Sequence, residues 1–62
     1  RYEAVYMIII HNHPSGDPEP SREDELLTRR MKEAGIVLGI YLVDHIIIGN
    51  ASYMSFKERG ML

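Results

Sequence analysis

The chain contains no cysteine and no tryptophan, and only one phenylalanine and three prolines, in 62 residues. Without cysteine there is neither a disulfide framework nor a thiolate metal site, although small domains commonly depend on such staples. Neither sign of charge dominates. Seven Lys and Arg against nine Asp and Glu leave a formal net charge of −2, which argues against a phosphate-binding surface and so against nucleic acid as a partner. The longest apolar run, Ala4 to Ile10, falls far short of the ~20 residues a membrane span needs. The charged lead-in and small-residue cleavage site of a secretory signal are also missing. These absences predict a cytoplasmic location and no membrane partner. An apolar fraction of 45% is ordinary for a folded chain and argues against disorder. One shortfall follows from length: a chain this short buries only about 60% of its unfolded surface. A metal, a partner or further chain is expected to supply the rest, and a homodimer pairing its exposed strand edges or apolar faces is one such solution.

What is present divides into four segments. Residues 4–11, beginning AVYMIII, are β-branched and aromatic without alternation, which fits a strand buried on both faces. Pro14 ends it, because proline cannot donate to a ladder. Residues 14–20, PSGDPEP, hold all three prolines and form a stiff connecting loop. Ser21 is the natural N-cap of a helix over 22–38, with Leu27, Met31, Ala34 and Leu38 on one face. Acids at its start and bases further along (Glu23, Asp24, Glu25, then Arg29, Arg30, Lys32) complement the helix dipole. Gly35 is a weak point in it and Gly39 its terminator. IYLVDHIII, residues 40–48, reads as a second buried strand. Gly49-Asn50 marks a hairpin turn into a short strand over 52–56, and residues 57–62 a final turn. The fold class is therefore α/β, a β-α-β-β unit with a mixed sheet, and one helix is not enough to cover both sheet faces. Tyr2, Tyr6, Tyr41 and Tyr53 read as core or edge packing rather than stacking platforms, and Met7, Met31, Met54 and Met61 as core fillers.

The chemistry concentrates in His11-x-His13-x7-Ser21-x-x-Asp24. On a strand, residues i and i+2 share a face, so His11 and His13 project together and Asn12 points away. The proline-rich loop brings the helix N-terminus, with Asp24 in its first turn, back toward the end of the strand. Two imidazoles and a carboxylate make a good zinc set without any thiolate, and three protein ligands leave a fourth position for water, as catalytic zinc sites do. Zinc lowers the pKa of such a water toward ~7. The Ser21 hydroxyl is placed to donate to the oxyanion formed when hydroxide attacks a carbonyl. Binding is expected to weaken in acid, because a protonated imidazole cannot ligate. Each piece alone has a plainer explanation: two histidines on a strand face, a capping box in its Asp variant, a loop. Together, four specified positions at fixed spacing arise by chance roughly once per million starting points. Asp44 and His45 are adjacent and point to opposite faces of a regular strand, so they form no simple dyad. Asp44-His45 could orient a ligand from behind, with His45 read as structural.

At these residues the sequence resembles a family. HNHPSGD, residues 11–17, with Ser21 and Asp24 is similar to the JAMM motif of JAB/MPN metalloproteins, and HNHPSGDPEPSREDE with Asp44-His45-Ile46-Ile47 resembles their bacterial RadC branch. The resemblance runs over nearly the whole chain from about Ala4. It implies a cytidine-deaminase-like α/β fold, a zinc ion held by His11, His13 and Asp24, and Ser21 beside the bound water. It further implies a zinc-dependent hydrolase attacking an amide or isopeptide carbonyl of a peptide or protein substrate. Asn12 stands where many members have Ser or Thr. The family also places a general-base glutamate on a strand well upstream of the two histidines. Only ten residues precede His11, Glu3 is at the wrong distance, and Glu19, Glu23 and Glu25 fall in the loop and first helical turn. The resemblance thus implies a base upstream of Arg1, with residues 1–62 a single partial domain lacking its N-terminal half. A non-catalytic zinc-binding or interaction fragment is the second expectation. A DNA-repair accessory role, implied by the family name alone, is the third.

Overall fold

The computed structural model describes residues 4–62. Strand β1 (Val5–Asn12) leads through the proline-rich loop into helix α1 (Arg22–Leu38), which turns directly into β2 (Ile40–Ile48) and then β3 (Tyr53–Ser55). The three strands form one mixed sheet in the order β1-β2-β3, with β1 parallel to β2 and β2 antiparallel to β3. The helix and second strand coincide with the expected bounds. β1 starts and ends one residue later, and β3 is shorter at both ends. Among the described residues no helix is long and apolar enough to cross a membrane.

The helix begins where its cap allows. Ser21 is extended, its Oγ accepts from the Asp24 amide, and the Asp24 carboxylate accepts from the Ser21 amide, a reciprocal capping box. It ends at Gly39, whose φ of 75° is left-handed and whose N–H bonds the Gly35 carbonyl, a conformation only glycine adopts cheaply. Gly35 is not a break. The helix runs through it, and a Cβ there would lie 2.0 Å from the Ile40 carbonyl oxygen, so glycine is what lets the helix press against β2. The inward face is consequently Asp24, Thr28 and Gly35, with Met31 half-buried. The expected face of Leu27, Met31, Ala34 and Leu38 is rotated away: Leu27 is half-exposed and Leu38 71% exposed. Close approach favours small side chains, and the large apolar ones are left outside.

A bulge sets the faces of β2. Tyr6 pairs with Tyr41 and Met7 with Leu42, but Ile8 pairs with Asp44, leaving Val43 as the extra residue. Because side chains alternate, one added residue inverts which of them turn inward. Before the bulge Leu42 is buried; after it His45 and Ile47 are. A regular strand would have placed Asp44 inside and His45 outside.

The core is small: Ile47, Met54 and Phe56, with Leu62 packed against them. Met54 fills it as expected, whereas Met61 is 40% exposed. β1 is not buried on both faces. Met7, Ile9 and His11 are half-buried toward the helix side, while Tyr6, Ile8 and Ile10 are open on the other. Tyr6 and Tyr41 tilt against each other with centroids 6.1 Å apart, and with Tyr53 they lie on the surface rather than in the core. Tyr2 lies outside the described residues.

Candidate metal centre

The site forms where β1 ends and α1 begins. His11 is the penultimate residue of β1. His13 lies just beyond it, yet its N–H still bonds the Ile48 carbonyl at 3.1 Å, which extends the ladder far enough to keep both rings on one side. The rings meet edge to face, centroids 4.7 Å apart, and Asn12 is exposed. Across from them the capping box fixes Asp24. Its Oδ2 accepts from the Ser21 amide at 2.7 Å and lies 2.9 Å from His13 Nε2, and its Oδ1 lies 3.2 Å from His11 Nδ1. One ligand-type atom from each of His11, His13 and Asp24 falls within 4.8 Å of the others. The side chains run from buried to open, with Asp24 7%, His13 15% and His11 39% exposed, so the cluster is held from below and reachable from solvent.

The loop is fastened to the turn after β2. Gly16 adopts a φ of 85°, its carbonyl accepts from the Asn50 amide at 2.8 Å, and the Gly49 amide bonds the Ser52 carbonyl. Gly49 is pressed against the loop: a Cβ there would lie 2.5 Å from the Gly16 carbonyl oxygen and 2.8 Å from the Pro18 ring. A depression of about 550 Å³ beside His13 is walled by Pro14, Ser15, Gly16, Gly49 and Asn50.

The hydrogen bonds decide which atoms are free. His13 Nδ1 lies 2.9 Å from the Asp17 backbone carbonyl, which can only accept, so Nδ1 carries the proton. In the neutral ring Nε2 then has a lone pair, and it faces a carboxylate oxygen. Two acceptors at 2.9 Å require a positive charge between them, either a proton that makes the ring imidazolium or a metal ion. Convergence of His11 on the second carboxylate oxygen suits the metal, since one ion satisfies all three groups. Burial pushes the Asp24 carboxyl up, but the Ser21 amide and hydroxyl, His13 and His11 outweigh it and hold the carboxyl below its usual value. Asp24 is therefore an anion at neutral pH, as a ligand must be. Ser21 is exposed, and its Oγ accepts from the Asp24 amide at 3.1 Å.

No described glutamate joins the cluster by hydrogen bond or ion pair. Glu19 is held 2.6 Å from Arg59, Glu23 and Glu25 are exposed on the helix, and Glu3 lies outside the described residues. Asp44 turns away from the cluster: it accepts from the Ser55 hydroxyl at 2.6 Å and from the amides of His45 and Lys57. His45 goes the other way, against the site. It is fully buried, its Nδ1 is 2.6 Å from Thr28 Oγ1, and Thr28 donates to the Asp24 carbonyl at 2.8 Å. Burial pushes the His45 ring below the usual imidazole value against the opposing pull of Asp24, which keeps it neutral. Thr28 carried no weight in the sequence; its position four residues after Asp24, on the same helix face, was the available signal.

The family model described as a RadC-like JAB domain matches residues 1–61. Proteins named UPF0758 are similar throughout: 61% identity over all 62 residues in Trichlorobacter lovleyi, 55% over all 62 in Thermotoga maritima, and 64% over 59 residues, or 95% of the chain, in Clostridium beijerinckii. The chain spans only about a quarter of those relatives, 27%, 28% and 26% of their lengths respectively. With the family model matched over nearly its whole length, the chain belongs to the RadC-like JAB domain family.

Proposed function

We propose that residues 1–62 carry the metal-binding part of a zinc-dependent hydrolase of the JAMM type, acting on an amide or isopeptide carbonyl of a peptide or protein. The observation that supports it most is the 2.9 Å approach of His13 Nε2 to Asp24 Oδ2 while His13 Nδ1 is committed to the Asp17 carbonyl. His11, His13 and Asp24 would hold the ion. Zinc supplies Lewis acidity and a water whose pKa falls toward ~7. The residues of this chain do the rest. The Asp17 carbonyl fixes the His13 tautomer, the capping box holds the Asp24 carboxylate, and Ser21 is placed to donate its hydroxyl proton to the oxygen that gains charge as the carbonyl is attacked. The depression beside His13 is the place for the substrate chain. In this reading the fold is a cytidine-deaminase-like unit, and the general base is a glutamate from a segment upstream of Arg1.

The second reading, a zinc-binding or interaction unit without catalysis of its own, is favoured by one observation: the nearby glutamates are occupied or exposed rather than turned to the cluster. Losing a general base typically costs 10²–10⁴-fold in rate. Zinc analysis after exhaustive dialysis tests what both readings share. About one equivalent is expected, falling sharply in His13→Ala and Asp24→Ala; under a tenth of an equivalent, unchanged by His11→Ala, sinks both. Zinc-dependent peptide cleavage by the 62-residue chain then separates them, since vigorous cleavage excludes the non-catalytic reading.

A further inference from the structure

His45 is buried in the core yet polar, and its two ring nitrogens are treated differently. One bond partner pattern is self-consistent. The Asp24 carbonyl can only accept, so Thr28 spends its single proton there at 2.8 Å and must accept from His45 Nδ1–H at 2.6 Å. The result is a directional chain, His45 to Thr28 to the peptide of Asp24. His45 Nε2 is buried with no partner among the described residues, an arrangement that a phenylalanine packed in the same place would avoid. The ring is also the middle of a stack. It lies parallel to Phe56, centroids 4.7 Å apart at 6°, and to His11, 5.9 Å apart at 23°. The bulge at Val43 exists in register terms to turn this residue inward. One side chain thus touches two members of the candidate cluster, His11 through its ring and Asp24 through Thr28, from two different elements.

We propose that His45, acting through Thr28, is a positioning residue that sets the separation of His11 and Asp24 for the metal. The inference rests on the metal reading above. Partners behind a ligand fix its orientation, and their loss typically weakens metal binding roughly 10–100-fold. A purely structural pair behaves differently, because exchanging both members of a buried hydrogen bond for apolar groups of similar shape can leave stability unchanged.

The test uses the whole chain with Thr28→Val, Thr28→Ser and the double variant Thr28→Val/His45→Phe. Three quantities are read: Zn²⁺ affinity by competition with a chromophoric chelator, the visible spectrum of the Co²⁺ form, and the thermal midpoint of the metal-free protein. The double variant should keep the metal-free midpoint, bind Zn²⁺ roughly 10–100-fold more weakly and show an altered Co²⁺ spectrum. Thr28→Ser, which keeps the hydroxyl, should retain both affinity and spectrum. Unchanged affinity and spectrum in the double variant overturn the inference while leaving the metal reading intact. Should the double variant not fold, equal affinities of Thr28→Val and Thr28→Ser overturn it instead. If the unsubstituted chain binds no metal, the metal reading falls and this inference with it.

Discussion

Asp44, midway along β2, shows how much a single carboxylate organises where β3 ends. Its Oδ1 accepts from the His45 amide at 2.7 Å and the Lys57 amide at 3.0 Å, and its Oδ2 from the Ser55 hydroxyl at 2.6 Å. Burial pushes the carboxyl up, but these three donors, with the nearby Lys57 charge, hold it below the usual carboxylate value of 3.8. The unfolded chain therefore takes up the proton at higher pH than the folded one. The stabilisation is fully present above the unfolded value and is lost as pH falls through the folded one. Asp44→Asn should lower stability at pH 7 by about 2 kcal/mol, since hydrogen bonds to charged groups contribute more than neutral ones, and should flatten the acid limb below pH 4. Denaturant melts over a pH series measure both; a variant with unchanged stability and an unchanged acid limb removes Asp44 from this role. At the same scale the sequence was readable where rules are local. His11, His13, Ser21 and Asp24 follow from strand alternation and a capping box, each spanning four residues or fewer, and the structure brings them together. The link from His45 to Thr28 crosses 17 positions and two elements, and the one-residue bulge that sets which side of β2 His45 faces leaves no local mark in the sequence.

Helix α1 carries the lesson for elements. Its bounds were legible because Ser21 and Gly39 are chemical start and stop signals. Its inward face was not, because apolar periodicity assumes that the largest side chains seek the core. Here the contact with β2 is too close for them. Thr28 and Gly35 face inward while Ile36, Val37 and Leu38 are 62%, 83% and 71% exposed. Gly35→Ala makes the competition measurable. Helix propensity favours alanine by about 1 kcal/mol. Against it, the new Cβ would lie 2.0 Å from the backbone oxygen of Ile40, which cannot rotate aside, and overpacking of that kind costs roughly 1–3 kcal/mol or more. With a backbone clash this close the upper end of that cost applies, and a net destabilisation of about 2 kcal/mol is the expected result in thermal or denaturant melts. A stabilised variant would mean that helix and strand separate easily, and with them the Thr28–His45 contact.

At the scale of the molecule the open sheet face decides behaviour. The radius of gyration is 12.5 Å, against about 11 Å for a compact chain of this length. Tyr6, Ile8 and Ile10 on β1 are 69%, 53% and 68% exposed, beside Tyr41 at 44% and Ile48 at 41%. β1 lies at the sheet edge, paired only with β2 among the described residues. An apolar face of this kind next to an unpaired strand edge is a surface that soluble chains cover. For the 62-residue chain on its own, a second copy is the expected cover, joined edge to edge or face to face. The two consequences are separable. Ile8→Lys/Ile10→Lys puts charge on the open face and leaves the half-buried Met7, Ile9 and His11 untouched, so it should shift the chain toward monomer without reducing its zinc content. Light scattering at micromolar concentration reads the first effect and metal analysis the second. A monodisperse monomer before substitution contradicts the pairing. Loss of zinc on substitution would mean instead that the covered face and the metal centre are held together by the same packing.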